Sequence, residues 1–137
     1  MDIFKADEEI FNSLVKYIKD NDNKYEIKVA RFLIKKKVPL VILEETKNQL
    51  NGATSNWGNQ ERLLNYNINI YAEAKNGYDP VTVARYIANL VSTLMEQKYK
   101  LRGGIVGNFA NYDDRVETYR INMRYSGKYY PSNNLLF

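Results

Sequence analysis

The residues of this chain best suited to chemistry are glutamates with a lysine two positions later. Glu45 and Lys47 have this spacing at the end of an apolar run, and Glu26 and Lys28 repeat it earlier. Small metal-dependent nucleases use such a pair at a strand end: the carboxylate holds the cation, and the lysine supports the attacking water. The upstream carboxylates that could complete the site are Asp20 and Asp22. Tripeptides of this kind arise by chance in charged chains, so solvated strand ends are the favoured interpretation.

The amino-acid composition removes the commonest catalytic groups. The chain has 137 residues and contains no histidine and no cysteine. Imidazole acid–base chemistry, Ser-His triads, thiol nucleophiles, disulfides and Cys/His zinc sites are therefore excluded. We predict from this that the protein is not an enzyme and that it uses no metal ion or other cofactor.

Positive charge lies in the last third of the chain, where it raises the question of nucleic-acid binding. The net charge of +4 arises in residues 98–128, because the residues before them carry equal numbers of acids and bases. The whole chain contains twelve tyrosines, four of them within this segment. However, Tyr119 and Tyr125 alternate with Arg120 and Arg124 and so lie on the opposite face of a strand. A stacking platform for single strands needs both on one face, so packing of the tyrosines within the sheet is favoured.

A row of amides follows the clearest strand of the sequence. Asn65, Asn67 and Asn69 share one face of this strand, while apolar side chains occupy the other. Two interpretations stay open: an ordinary solvated face, or a surface on which another subunit docks, since amides are less costly to desolvate than charges. Arg120, Asn122 and Arg124 line the outer face of a later strand in the same way.

The elements that must position these residues follow from hydrophobic periodicity. A helix capped by Asp7 precedes strands at 25–29 and 39–43, and a third strand runs from 62 to 74. Asp79 and Pro80 begin a second helix, and two strands follow within 98–128. The order α-β-β-loop-β-α-β-β predicts an α+β fold. We expect a mostly antiparallel sheet of four to five strands with two helices packed on one face.

The length fits one domain over residues 1–137, with two segments that lack periodicity. Residues 46–61 are predicted to be a long loop, mobile in the free subunit and ordered on assembly, with the sole tryptophan, Trp57, as its anchor. Residues 129–137 form a tail whose apolar Leu136 and Phe137 are candidates for contacts with another subunit. No secretory signal or membrane-spanning run is present, so we expect no membrane partner.

The order of elements resembles the tail-terminator, or tail-completion, proteins of tailed bacteriophages and phage-tail-like particles. The resemblance rests on the acidic start of the first helix, the apolar strand 39–45 and the long polar loop. It also includes the strand 64–71, the helix 79–99 and a final hairpin that contains residues 120–125. It covers nearly the whole chain as an order of elements rather than as a motif.

The resemblance implies a structural protein of the virion tail or neck, assembled in the cytoplasm of the host bacterium. Such proteins form a homo-oligomeric ring, usually a hexamer, that caps the tail tube, stops its polymerisation and joins it to the head–tail connector. Nucleic acid is then expected only as DNA passing through the ring lumen. The alternatives are a neck or head-completion connector protein and, from another class, a small metal-dependent nuclease that uses Glu45 and Lys47. The residues proposed for contact with a subunit or the tail tube are Trp57, Asn65, Asn67, Asn69, Arg120, Asn122, Arg124, Leu136 and Phe137.

Overall fold

The computed structural model describes residues 3–22, 24–33, 39–50, 61–74, 77–112, 117–130 and 135–136. Within these ranges the chain forms two α-helices, one π-helix and six strands. In chain order they are α1 (Lys5–Asn21), β1 (Lys28–Ala30), β2 (Leu40–Leu50), β3 (Arg62–Glu73), α2 (Pro80–Ser92), the π-helix (Thr93–Lys98), β4 (Arg102–Tyr112), β5 (Glu117–Tyr130) and β6 (Leu135–Leu136).

The described strands form one sheet with the spatial order β1-β2-β3-β5-β4. The two-residue β6 pairs with the end of β5. β1 runs parallel to β2, and the other described pairings are antiparallel. The α+β class, the element order and the mostly antiparallel sheet predicted from the sequence are therefore confirmed. Among the described strands, β1 and β4 form the two edges of the sheet.

The helices pack on one face of the sheet, which we call the inner face. The buried core joins one stripe of each helix to the inward side chains of β2, β3 and β5. Its fully buried members include Ile10, Leu14, Ile87, Val91, Leu43, Leu64, Ile68 and Ile70. The predicted alternation in β5 holds, because Tyr119, Ile121, Met123 and Tyr125 are all buried in this core. None of the described helices is long and apolar enough to span a membrane.

The beginning of α2 agrees with the sequence prediction, whereas the beginning of α1 does not. The Asp79 carboxylate accepts a hydrogen bond from the Val81 N–H at 3.0 Å, and Pro80 is the first helical residue. The helix α1 begins at Lys5 rather than after an Asp7 cap. Asp7 instead lies in the first turn and pairs with Arg31 at 2.8 Å. A tertiary ion pair thus uses the carboxylate that local sequence assigned to capping.

The first predicted strand is shorter in the structure than its alternating pattern indicated. Only residues 28–30 pair with β2, and residues 24–27 form a turn after α1. The Asp22 carboxylate organises this turn by accepting the backbone N–H groups of Lys24, Tyr25 and Ile27 at 2.7–3.1 Å. Phe32 and Leu33 do not extend the strand, and both side chains are exposed.

The second strand is longer than predicted, so the predicted loop at 46–61 is wrong at its start. β2 continues to Leu50 in register with β3, across a bulge between Glu45 and Lys47. The continued pairing with β3 provides hydrogen-bond partners for the backbone N–H and C=O groups of the residues that follow Glu45, although the local sequence shows no strand periodicity there. Residues 51–60, including Trp57, lie outside the described residues.

Candidate functional site

The bulge in β2 separates the two residues of the nuclease-like pair. Glu45 lies opposite Tyr66, whose side chain points to the inner face, whereas Lys47 lies opposite Asn65 on the other face. A β-bulge changes the side to which the following side chains point. The structure therefore does not bring Glu45 and Lys47 to one site. Metal-dependent hydrolysis would need both side chains on the same face, as their spacing would place them in a regular strand.

Glu45 instead belongs to a half-buried cluster with Tyr66. The Tyr66 hydroxyl donates to a Glu45 carboxylate oxygen at 3.2 Å. Burial raises the pKa of the Glu45 carboxyl, and hydrogen bonds from Asn48 and Tyr66 oppose this shift only in part. Burial, reinforced by the Glu45 charge, also raises the pKa of the Tyr66 phenol above its ordinary value. The hydroxyl therefore stays a proton donor to the carboxylate.

The other carboxylates proposed for a metal site are not placed with Glu45. Asp22 caps the turn after α1, and although burial alone would raise its pKa, the backbone donors of Ile27, Tyr25 and Lys24 outweigh burial and lower it. Asp20 is exposed near the end of α1, and Glu26 lies in the turn with a backbone φ of 56°. Within the described ranges, no three acidic side chains gather in a way that could hold a metal ion.

The predicted amide row is partly used inside the subunit. Asn122 lies opposite Asn69 in the β3–β5 register, and both side chains are buried, with 7% and 8% exposure. The Asn122 amide donates to the side-chain oxygens of Asn67 at 2.6 Å and Asn69 at 2.9 Å. The same Asn69 oxygen accepts two N–H groups of Arg120 at 2.7 and 3.1 Å. The expectation of an exposed amide face is thus wrong for Asn69 and Asn122, whose amides satisfy one another.

The remaining polar residues of this face border a concave surface whose lining includes five cations and one acid. We call the side of the sheet away from the helices the outer face. Two adjoining concavities of about 530 and 610 Å³ lie there and share Asn65, Arg102 and Ser126. The cationic side chains that line them are Lys47, Lys100, Arg102, Arg124 and Lys128, and we call this set the cationic trough.

One acid accompanies the cationic trough. Glu61 is 3% exposed, and its carboxylate lies 3.8 Å from the Lys128 ammonium. Across the part of the chain that the structure describes, no carboxylate lies within ion-pair distance of Lys47, Arg102 or Arg124. The trough therefore concentrates much of the positive surplus of the chain on one surface of the sheet.

Exposed apolar side chains lie beside both edges of the sheet. In β4, Ile105 and Val106 are each 57% exposed, at the bulge where the β4–β5 register shifts. Directly after β1, Phe32 is 68% exposed and Leu33 is 60% exposed. One apolar patch thus lies within β4 and the other lies just after β1, and these two strands stand at opposite ends of the strand order. Exposed apolar groups beside a sheet edge are typical of surfaces that pair with another chain.

The remaining residues predicted for subunit contact are placed as follows. Asn65, Asn67 and Arg124 line the outer-face concavities, and Arg120 is half-buried over the Tyr71 ring. Leu136 lies in β6, whose backbone pairs with Tyr129 and Tyr130. Trp57 and Phe137 lie outside the described residues. The assignment of this set to an interface stays a prediction.

Sequence reasoning missed the gathering of the trough and the two apolar edges. Lys47, Arg102 and Lys128 come from three strands, and only the strand order brings them together. For the apolar patch in β4, the sequence does contain a signal. Ile105 and Val106 are adjacent in sequence, and side chains of adjacent residues in a regular strand cannot both face one core.

The chain was compared with protein-family models and with curated proteins. No family model matches it, and no curated protein is similar to it in sequence. The resemblance to tail terminators therefore rests on the order of its elements.

Proposed function

We propose that this chain is a ring-forming structural subunit that caps a phage tail tube or the tube of a phage-tail-like particle. In this role it is a tail terminator: copies of the chain, six in the preferred form, close a ring that stops tube polymerisation and meets the head–tail connector. The observation that carries the proposal is the pair of unlike apolar patches at opposite edges of the sheet. A ring requires two different complementary surfaces on every subunit.

The β4 edge is suited to one side of such a contact. Ten of its 11 residues pair with β5 on one side, and Val106 lies in the bulge. No other described strand pairs with the opposite side of β4, so the N–H and C=O groups there can pair with a neighbouring chain. Ile105 and Val106 add exposed apolar area at the bulge. Burying apolar surface contributes about 25 cal/mol per Å², so a few such side chains matter to an interface.

The β1 edge supplies the second, different surface. Phe32 and Leu33 follow this short strand and are the two most exposed large apolar side chains among the described residues. A contact between the β1 patch of one copy, formed by Phe32 and Leu33, and the β4 patch of the next copy, formed by Ile105 and Val106, is heterologous. Heterologous contacts repeat from subunit to subunit and end only when the ring closes.

Further features support an assembly role over the alternatives. The order of elements resembles that of tail terminators, whereas the bulge in β2 sends Glu45 and Lys47 to opposite faces and weakens the nuclease hypothesis. A neck or head-completion protein is the nearest alternative, since it also assembles through unlike surfaces. The two differ in their partners, because only a terminator acts on the growing end of the tail tube.

Complementation between edge variants tests the heterologous contact. Phe32→Glu damages the β1 patch and Val106→Glu damages the β4 patch, so each variant alone should stay monomeric. An equimolar mixture retains one intact pair of surfaces and should form heterodimers, measured by light scattering after size exclusion. Asn89→Glu is the matched control, since it introduces the same charge at an exposed position of α2, which packs on the central strands β3 and β5. If the mixture stays monomeric while the control assembles, the contact is not the one proposed.

A further inference from the structure

The cationic trough has the composition of a polyanion site. Its lining combines five cations with one acid, the buried Glu61, whose carboxylate lies 3.8 Å from the Lys128 ammonium. Residues 51–60, which separate β2 from Glu61 in the sequence, contain no charged residue. The chain itself therefore leaves Lys47, Arg102 and Arg124 without a carboxylate partner among the described residues.

The strand register sets the size of the trough. Lys47, Asn65, Ser126 and Arg102 lie in one row across β2, β3, β5 and β4. Three spacings of about 4.8 Å make this row roughly 14 Å wide. Along β5, Arg124 and Lys128 are four residues apart, which is also roughly 14 Å. The trough is thus a patch of cations rather than a pocket for one small anion.

We propose that the cationic trough binds the phosphate backbone of duplex DNA without reading its sequence. The arginine forks suit phosphate oxygens, and the Asn65 amide and Ser126 hydroxyl add neutral donors of the kind that contact nucleic-acid backbones. This binding belongs to the single subunit and does not depend on the ring proposed above.

Charge density favours DNA over an acidic protein segment. Duplex DNA carries one negative charge per roughly 1.7 Å, so about eight phosphates lie along the length of the trough. An extended acidic peptide places side chains on one face about every 7 Å and offers about two carboxylates over the same length. Only the duplex can engage all five cations at once.

The arrangement of aromatic side chains favours a duplex over a single strand. Single-strand sites stack bases on exposed aromatic rings. Here Tyr66, Tyr125 and Tyr129 point to the inner face and are at most 2% exposed. Among the described residues, these tyrosines therefore offer a single strand no stacking in the trough, and the lower charge density of a single strand makes its binding weaker and less sensitive to salt.

Fluorescence anisotropy with a labelled duplex of mixed sequence, titrated at several salt concentrations, tests the proposal. The slope of log affinity against log salt should be about −4.5 if all five cations contact phosphates. The triple variant Lys47→Gln, Arg102→Gln, Arg124→Gln should make the slope shallower by about 2.7 and weaken binding more than tenfold at about 50 mM salt. Arg124→Lys keeps the charge and should keep the slope.

The matched control removes the same charge from the exposed surface of the helices. Lys16→Gln, Lys19→Gln, Arg85→Gln should leave both affinity and slope unchanged. Equal losses in the two triple variants would show that net charge, not the trough, attracts DNA, and would overturn the proposal. It is also overturned if the wild-type protein does not bind the duplex at low salt. Tighter binding of a single strand, or equal competition by polyglutamate, would likewise overturn it. None of these DNA-binding results bears on the experiment in which the Phe32→Glu and Val106→Glu variants are mixed.

Discussion

The side chains of Asn67, Asn69, Arg120 and Asn122 form a hydrogen-bond network on the outer face. Asn69 is the position at which this network is most directly tested. Its carboxamide oxygen accepts from the Asn122 amide at 2.9 Å and from the Arg120 guanidinium at 2.7 and 3.1 Å. Asn69→Ala removes this shared acceptor at an 8% exposed position between β2 and β5. The donors that lose it are buried or half-buried, so water replaces it only in part.

The expected cost follows from the bonds lost. The guanidinium fork contributes about 1.5 kcal/mol, the low end for a charged donor because Arg120 is half-buried, and the Asn122 bond about 1 kcal/mol. We therefore expect Asn69→Ala to lower the free energy of unfolding by about 2.5 kcal/mol. With a urea m-value of about 2 kcal/mol/M, the midpoint should fall by about 1.2 M.

Two further variants separate the network from general effects. Asn65→Ala is the same substitution on the same strand and face, and no hydrogen bond joins the Asn65 side chain to another described residue. It should change stability by less than about 0.5 kcal/mol. Asn69→Asp keeps an oxygen acceptor facing Arg120 and should lose less than about 1 kcal/mol at pH 7. Equal midpoints for the Asn69→Ala and Asn65→Ala proteins would refute the assigned role of Asn69.

Three further predictions concern titration and backbone packing. The pKa of Asp22 is lowered in the folded state, so its carboxylate stabilises the fold above the unfolded-state pKa, and this stabilisation is lost as the pH falls through the folded-state pKa. Asp22→Asn should lower the free energy of unfolding at pH 7 by about 1 kcal/mol. In a series of urea midpoints measured against pH, the variant should also show a smaller fall at acidic pH than the wild-type protein. Glu45 has a raised pKa, so the wild-type protein loses stability as the pH rises from the unfolded-state to the folded-state value, and Glu45→Gln should abolish that decline in the same series. A Cβ at Gly103 would lie 1.9 Å from the Arg124 carbonyl oxygen, whereas one at Gly104, at a similar φ, meets nothing within 4 Å. In thermal melts Gly103→Ala should therefore destabilise far more than Gly104→Ala, and equal losses would show that φ alone matters.

The fold was predictable where periodicity and capping act locally. The alternation around Tyr119 and Tyr125 predicted which face of β5 is buried, and Asp79 with Pro80 predicted the start of α2. Local signals failed where a distant partner decided the outcome. Asp7 pairs with Arg31 across 24 positions of sequence, so its capping potential was not used.

The candidate site was less predictable because it depends on which strands are neighbours. Asn122 is buried since the register places it opposite Asn69, and no pattern within β5 distinguishes it from the exposed Arg124. The bulge after Glu45 likewise reverses the side on which Lys47 lies. Bulges and registers arise from pairing between strands, so the sequence spacing of two residues does not determine whether they share a face.

The central claim, that this chain closes into a ring through unlike edges, is tested most directly by the mass and shape of the purified protein. Mass in solution should equal six times the 16.0 kDa subunit, and negative-stain images should show closed rings with a central opening. A mass of 16.0 kDa at every concentration would contradict the account. So would a two-fold dimer, because its contact pairs one patch with itself and leaves the other edge uncovered.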